Sequence, residues 1–298
     1  MKKLFIETAD IPKEIIRISS VMVDETILEI KQKETDNDTL VHNLRKNVKN
    51  LRALLKLLRK ETGEEFFKKN NFALRDLNSR SAAIRNYSAL IKLIQSISEN
   101  DEATLIIETL NLLLLRLQSD FKEVQRVTTY DTLFKYNQAQ LEKYKSQLHN
   151  LKINESRFGS IKTGITRVYS DGGSSFEIAF ENPQEKTLHE WRKNVKDLYY
   201  CSLTLTPIWK PVLKSFTKEL KVLADMLGEL HDFYELTHYI QSLIDNPYDF
   251  SNIFSLIENN QTDLMNNSFR LGKKIFAESG EQFSERIKAY YKSFKQER

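Results

Sequence analysis

One cysteine, five prolines and eight glycines are all that these 298 residues hold of those three types. The lone Cys201 excludes an intrachain disulfide and any zinc cluster built on cysteines, and it suits a reducing compartment. So little glycine and proline leaves too little turn chemistry for an all-β fold, while Leu, Lys, Glu and Ile dominate, so the composition is helical. Long apolar runs are missing too. The most apolar stretch, Leu105 to Leu117, is interrupted by Glu108 and Arg116 and is shorter than the ~20 residues a membrane span needs. Leu4-Phe5-Ile6 behind Lys2 and Lys3 is too short for the core of an export signal and runs into Glu7 and Asp10. These absences lead to the expectation of a cytoplasmic protein without a membrane segment. Nor is there an excess of one charge: 45 Lys and Arg stand against 41 Asp and Glu, a formal net charge of +4. Attraction to an anionic partner must then come from particular segments.

Such a segment is present, twice. His42-Asn-Leu-Arg-Lys-Asn-Val-Lys-Asn-Leu returns as His189-Glu-Trp-Arg-Lys-Asn-Val-Lys-Asp-Leu, 189 − 42 = 147 positions later. Between His42 and Lys60 lie Arg45, Lys46, Lys49, Arg52, Lys56, Arg59 and Lys60, and no acid. At 100° per residue, positions 42, 45, 49, 52, 56 and 59 share one helical stripe. Like charges at three and four spacing cost an isolated helix a few tenths of a kcal/mol per pair, which an anionic ligand would relieve. A single basic stripe is more often a solvated face. Two at corresponding positions, without interleaved i to i+4 Glu-Lys pairs, favour an anion site. If the halves pack about a pseudo-twofold axis, the stripes face each other across a groove that focuses positive potential.

Periodicity lays out the rest. Residues 11 to 33 predict a first amphipathic helix, and Asp38 or Thr39 is the expected cap of a second, Leu40 to Arg59, with apolar stripe Leu44, Val48, Leu51, Leu55 and Leu58. Gly63 is its expected stop. Further helices are predicted over about Phe66 to Ser98, Glu102 to Val127 and Thr129 to Lys152, with Asn100-Asp101 dividing the first two. Gly159, Gly164 and Asp171-Gly-Gly-Ser174 mark the most irregular part and the expected seam between repeats of 1–158 and 159–298. The pattern then resumes: Thr187 to Leu205, a stop near Pro207, a helix with Pro211 in its first turn, a break at Pro247-Tyr248, and closing helices Phe250 to Phe276 and Phe283 to Phe294. A second anchor of the repeat pairs Ile84-Arg85-Asn86 with Leu230-His231-Asp232, offset by 231 − 85 = 146. No period-two alternation is long enough for a sheet. The expected fold is all-α, with two bundle-like halves.

The phrase His-x-x-Arg-Lys-x-x-Lys-x-Leu, then Tyr199-Tyr200 and Leu223-Ala-Asp-Met-Leu-Gly-Glu-Leu-His-Asp232, closely resembles the CHAD domain, the conserved-histidine α-helical domain. Gly164-Ile-Thr-Arg-Val-Tyr169 and Leu271-Gly-Lys-Lys-Ile-Phe276 extend the resemblance over most of the chain. It implies two helical bundles related by a pseudo-twofold axis, with a basic groove or cavity between them, and binding of inorganic polyphosphate, not catalysis. The implied site comprises His42, Arg45, Lys49, Arg52 and Arg85 from the first half, and His189, Arg192, Lys193, Lys196 and Tyr200 from the second. The basic stripe itself adds Lys46 and Lys56. Three departures stand out: Tyr199 where an arginine is usual, Asn86 where an aspartate follows Arg85, and Ser170-Asp-Gly-Gly-Ser174 where relatives are often arginine-rich.

The chemistry of these residues fits a polyphosphate independently of the resemblance. The polymer offers about one charge per phosphate and no base edges, so lysine point charges and arginine forks suffice, with steep salt dependence. Divalent cations can accompany the polymer, although no dedicated metal-ligand set is legible and no cofactor is expected. His42 and His189, set among cations, should resist protonation until phosphate oxygens arrive, so binding should tighten as pH falls through the imidazole range. Charge reversal at Arg45 and Arg192 together should abolish it.

Other motifs have blander readings. His231-Asp232 resembles an acid-base pair but suits a histidine oriented by packing; His189-Glu190 lacks the second histidine of a zinc protease; Asp171-Gly-Gly-Ser-Ser lacks the P-loop ending and reads as a turn and cap. Of Trp191, Tyr199 and Tyr200, which could stack bases, at least one should be core. A nucleic-acid backbone binder is the alternative function, and polyphosphate granules are the expected place of association for the first.

Overall fold

The computed structural model describes residues 6–8, 10–32, 34–100, 104–151, 158–243 and 250–297. Its elements are α1 (Ile11–Gln32), α2 (Asn37–Leu57), a single turn α3 (Arg59–Thr62), α4 (Glu64–Ser79), α5 (Ala82–Asn100), α6 (Thr104–Val127) and α7 (Tyr130–His149). They continue with α8 (Gly159–Glu181), α9 (Glu185–Leu205), a 3-10 turn (Thr206–Trp209), α10 (Lys210–Ser242), α11 (Ser251–Ile275) and α12 (Gly280–Gln296). No strand occurs among the described residues, so the chain is all-helical as expected. Among the described residues no helix is long and apolar enough to cross a membrane.

Caps and breakers explain most boundaries. Asp36, two residues before the expected cap, accepts the Thr39 amide at 2.9 Å and starts α2. Gly63 sits at φ +76°, a left-handed conformation that stops α3 and opens α4. Pro207 lies in the 3-10 turn and Pro211 in the first turn of α10, where a missing N–H costs nothing. The Pro247-Tyr248 break and the Asp101 side of the α5–α6 divide lie outside the described residues.

Two expectations need correcting. The helix read over Phe66 to Ser98 is two, α4 and α5, parted at Arg80-Ser81. Neither glycine nor proline marks that break. Instead the Arg45 guanidinium of α2 donates to the Asn78 carbonyl and, at 3.1 Å, to Ser81 Oγ, satisfying the end of α4 from a distant element. The second correction concerns the irregular seam at Gly159 to Ser174, which is the continuous first two-thirds of α8. Its glycines serve close packing: a Cβ on Gly164 would lie 2.6 Å from the Leu57 carbonyl oxygen, and one on Gly172 2.7 Å from the Phe276 ring. Asp171-Gly-Gly-Ser-Ser is accordingly helix interior, neither turn nor cap.

The main apolar cluster runs from Ile6 to Phe294 and takes side chains from both ends of the chain. A second joins α5 and α6 to the C-terminal half of α10 and to α11. The residues carrying the resemblance in α8 and α11 are packing residues: the Tyr169 hydroxyl donates to the Ile275 carbonyl at 2.6 Å and its ring stacks on Phe283 at 4.4 Å. For function the important neighbours are α2 against α9, α9 against α10, and α10 against α5.

Candidate anion-binding site

On α2 the stripe Leu44, Val48, Leu51, Leu55 and Leu58 is buried, each at most 1% exposed. On α9, Trp191, Val195 and Leu198 do the same at 2% or less. Burying these stripes fixes the rotation of both helices, and the cations one position along turn toward the junction of α2, α9, α10 and α5. Trp191 and Tyr200 are thereby core residues, while Tyr199 is half-buried.

At that junction Arg45, Lys49, Arg85, Arg192 and Lys196 are half-buried and in mutual electrostatic range. Lys49 titrates at about 6, first because it is poorly hydrated, then because Lys196, Arg192, Arg45 and Arg85 surround it. Lys196 is lowered to about 8 by burial and Arg192, against the pull of Asp232 and Asp225. Arg45 falls to about 10 through burial, Arg85 and Arg192. Arg192 is likewise lowered by burial, with Asp232 opposing. Lys49, Lys196 and the Arg192 guanidinium have no hydrogen bond or ion pair among the described residues, and Arg192 Nε and Arg45 Nε are buried donors without acceptors. Buried donors are normally satisfied, so this is a cluster prepared for acceptors it does not itself contain.

Histidines border it. His42 is held below its ordinary value by poor hydration, then by Arg85, Lys92, Lys46 and Lys49. His189 is lowered by burial, Arg192 and Lys193. Both directions agree with the sequence-based expectation.

Other expected members of the site are already engaged. Lys56 Nζ pairs with Asp197 Oδ2 at 2.5 Å, and Lys193 Nζ with Glu190 Oε2 at 2.6 Å. That second pair, at i to i+3 spacing, lies inside the motif read as lacking interleaved i to i+4 Glu-Lys pairs. Arg52 Nε donates to Asn71 Oδ1 at 2.9 Å, and Arg59, beyond the end of α2, pairs with Glu64. Lys46 is exposed. Tyr200 is 8% exposed and its hydroxyl pKa is raised by burial.

Sequence reading left α10 out of the site. His231 stands edge-on to His189, ring centroids 4.8 Å apart, and burial, Arg192 and His189 push it down to about 3, so it is neutral at pH 7. It lies in mid-helix. Asp232 is the carboxylate among the cations; burial raises it, while Arg192, Arg85, Lys196 and Lys49 draw it down. Glu235 lies one turn further on, and Lys92 joins from α5. The 146-residue offset between Arg85 and His231 was the available signal: the helices that carry the two positions, α5 and α10, pack together.

A family model described as CHAD domain matches residues 27–241, more than half of the chain. The matched region contains α2, α5, α9 and nearly all of α10, the four elements that meet at the cation cluster. A comparison with curated proteins found no match.

Proposed function

The chain belongs to the CHAD family, and on that premise we propose that it binds inorganic polyphosphate, without transforming it, on the cations of α2, α5 and α9. In this reading residues 1–158 and 159–298 are two helical bundles related by a pseudo-twofold axis. The paired basic helices line a groove between them, and the polymer lies along it. Companion divalent cations, a cytoplasmic location and association with polyphosphate granules belong to the same proposal.

One observation carries it: Lys49, Lys196 and Arg192 crowd together half-buried with no hydrogen-bonding or ion-pair partner among the described residues, although like charges so placed destabilise the empty protein. A polyanion with an oxygen at every phosphate supplies all the missing acceptors at once. The duplicated motif agrees, since both copies contribute to one cluster.

Lys49→Glu with Lys196→Glu is the appropriate double variant. Arg45, by contrast, closes the end of α4, so its reversal would perturb the fold as well as the site. Titration with polyphosphate of defined length should show loss of binding in the double variant with helicity retained; unchanged affinity refutes the site. At physiological salt, polyphosphate should outcompete single-stranded DNA or RNA of equal charge, and the reverse order would favour a nucleic-acid backbone binder. Release of orthophosphate from pure polyphosphate, with or without added divalent metal, would make the protein an enzyme instead.

A further inference from the structure

The stripe of α2 changes character along its length. Up to Lys49 no cation of the stripe is paired with a carboxylate among the described residues. Beyond it every turn is engaged: Arg52 Nε donates to Asn71 Oδ1 at 2.9 Å, Lys56 Nζ meets Asp197 Oδ2 at 2.5 Å, and Arg59 pairs with Glu64. Asp197 also attracts Arg52, which burial holds below its ordinary value. We propose that Asp197 is a specificity-determining residue that ends the anion track: by taking Lys56 it limits the length of polyphosphate that the site engages. The inference deepens the proposed polyphosphate binding and rests on it.

The repeat singles this residue out. Position 197 corresponds to 197 − 147 = 50, where the first motif carries a neutral asparagine. Asn50 Oδ1 is buried without a hydrogen-bond partner, so the first copy places no charge at this point. Between the two ten-residue motifs only Asn43 and Glu190, Leu44 and Trp191, and Asn50 and Asp197 differ. Two of those three changes add an acid, and each added acid takes a lysine: Glu190 holds Lys193, and Asp197 holds Lys56. Glu190 acts within its own helix, whereas Asp197 reaches across to the other copy's stripe.

An arriving phosphate does not simply exchange with Asp197. Lys56 and Asp197 are 23% and 19% exposed, so a displaced carboxylate would stay poorly hydrated, without its cation and beside an anion. Distance adds a length rule. Seven residues of helix separate Lys49 from Lys56, about 10 Å at 1.5 Å per residue. A released Lys56 would therefore help only a polymer long enough to reach it from Lys49.

The test uses the full chain. Asp197→Asn gives the second copy the residue that the first already has. With long-chain polyphosphate it should bind about tenfold tighter than the wild type, as one more charge-assisted contact allows. By analogy with single strands, its slope of log K against log salt should steepen by about 0.7. Tripolyphosphate, too short to span from Lys49 to Lys56, should bind both proteins alike. Glu29→Gln, exposed on α1, makes the same change in net charge and should have neither effect. Lys56→Met should leave wild-type affinity and slope unchanged, and added to Asp197→Asn it should cancel the gain. An Asp197→Asn variant that binds no tighter than the wild type, an equal gain with tripolyphosphate, a gain that survives Lys56→Met, or weaker binding in Lys56→Met alone overturns the inference while leaving polyphosphate binding intact. A wild-type chain that binds no polyphosphate refutes the proposed function and this inference with it.

Discussion

Lys56 of the first basic stripe and Asp197 of the second motif are joined by a 2.5 Å ion pair that ties α2 to α9. Both side chains are mostly buried, at 23% and 19% exposure. Part of the cationic run therefore ties α2 to α9, while Lys49, Lys196 and Arg192 have no hydrogen bond or ion pair among the described residues.

Lys56→Met should lower stability by about 1–3 kcal/mol, the cost of leaving a poorly hydrated carboxylate without its charged donor. Polyphosphate affinity should change little. Denaturant unfolding of Lys56→Met, Asp197→Asn and the double variant gives the coupling directly, and additive effects would mean that the pair contributes nothing.

Lys49 should make the proposed polyphosphate binding proton-linked. Its folded pKa is about 6 against an ordinary 10.5, so between those values the unfolded chain holds a proton that the folded chain lacks. Stability should therefore rise with pH across that window, by linkage. Around Lys49 stand Lys196, Arg192, Arg45 and Arg85, with His231 and Asp232 facing it from α10. Phosphate oxygens arriving there raise its pKa, so at pH 7.5 binding should take up about one proton, and affinity should grow as pH falls from about 8 toward 6. His42, also lowered, extends the trend below. Calorimetry in two non-phosphate buffers of different ionisation heat measures the uptake; equal heats in both would refute it, and Lys49→Met should suppress the uptake.

Salt dependence separates ligating cations from structural ones. By analogy with single strands, each phosphate contact removed should flatten the slope of log K against log salt by about 0.7. Lys49→Ala and Lys196→Ala should each do so. Lys193→Ala, whose charge is paired with Glu190, should not.

Gly164→Ala tests the fold where α8 crosses the end of α2. The added Cβ would sit 2.6 Å from the Leu57 carbonyl oxygen and 2.7 Å from Leu57 Cα, so one backbone must move. A loss of about 1–3 kcal/mol is expected in denaturant unfolding, as for other overpacked sites. An unchanged midpoint would mean that the two helices separate there at no cost.

Helix spacing was legible because a buried stripe leaves a period in the sequence, as Leu44, Val48, Leu51 and Leu55 do on α2. The α4–α5 break was not, because Arg45 ends α4 through space and leaves no local residue signal at Arg80-Ser81. Glycines misled for a related reason. Gly164 and Gly172 are small so that Leu57 and Phe276 can approach, and in one dimension that looks the same as a turn. In the site, the duplicated motif pointed to Arg45, Lys49, Arg192 and Lys196, while His231 was read as a histidine oriented by packing.

The sequence by itself determined the helical class, the positions of most helices, the duplicated His-Arg-Lys motif and, through it, the family. Each follows from local period, capping chemistry or spacing along the chain. Only the tertiary structure decided which of those cations remain unpaired. Lys56 finds its counter-ion 141 residues away, Glu235 is held by Asn86 149 residues away, and His231 meets His189 only because α9 and α10 pack together. Electrostatic energy depends on distance through space and on hydration, and neither has a period along the chain.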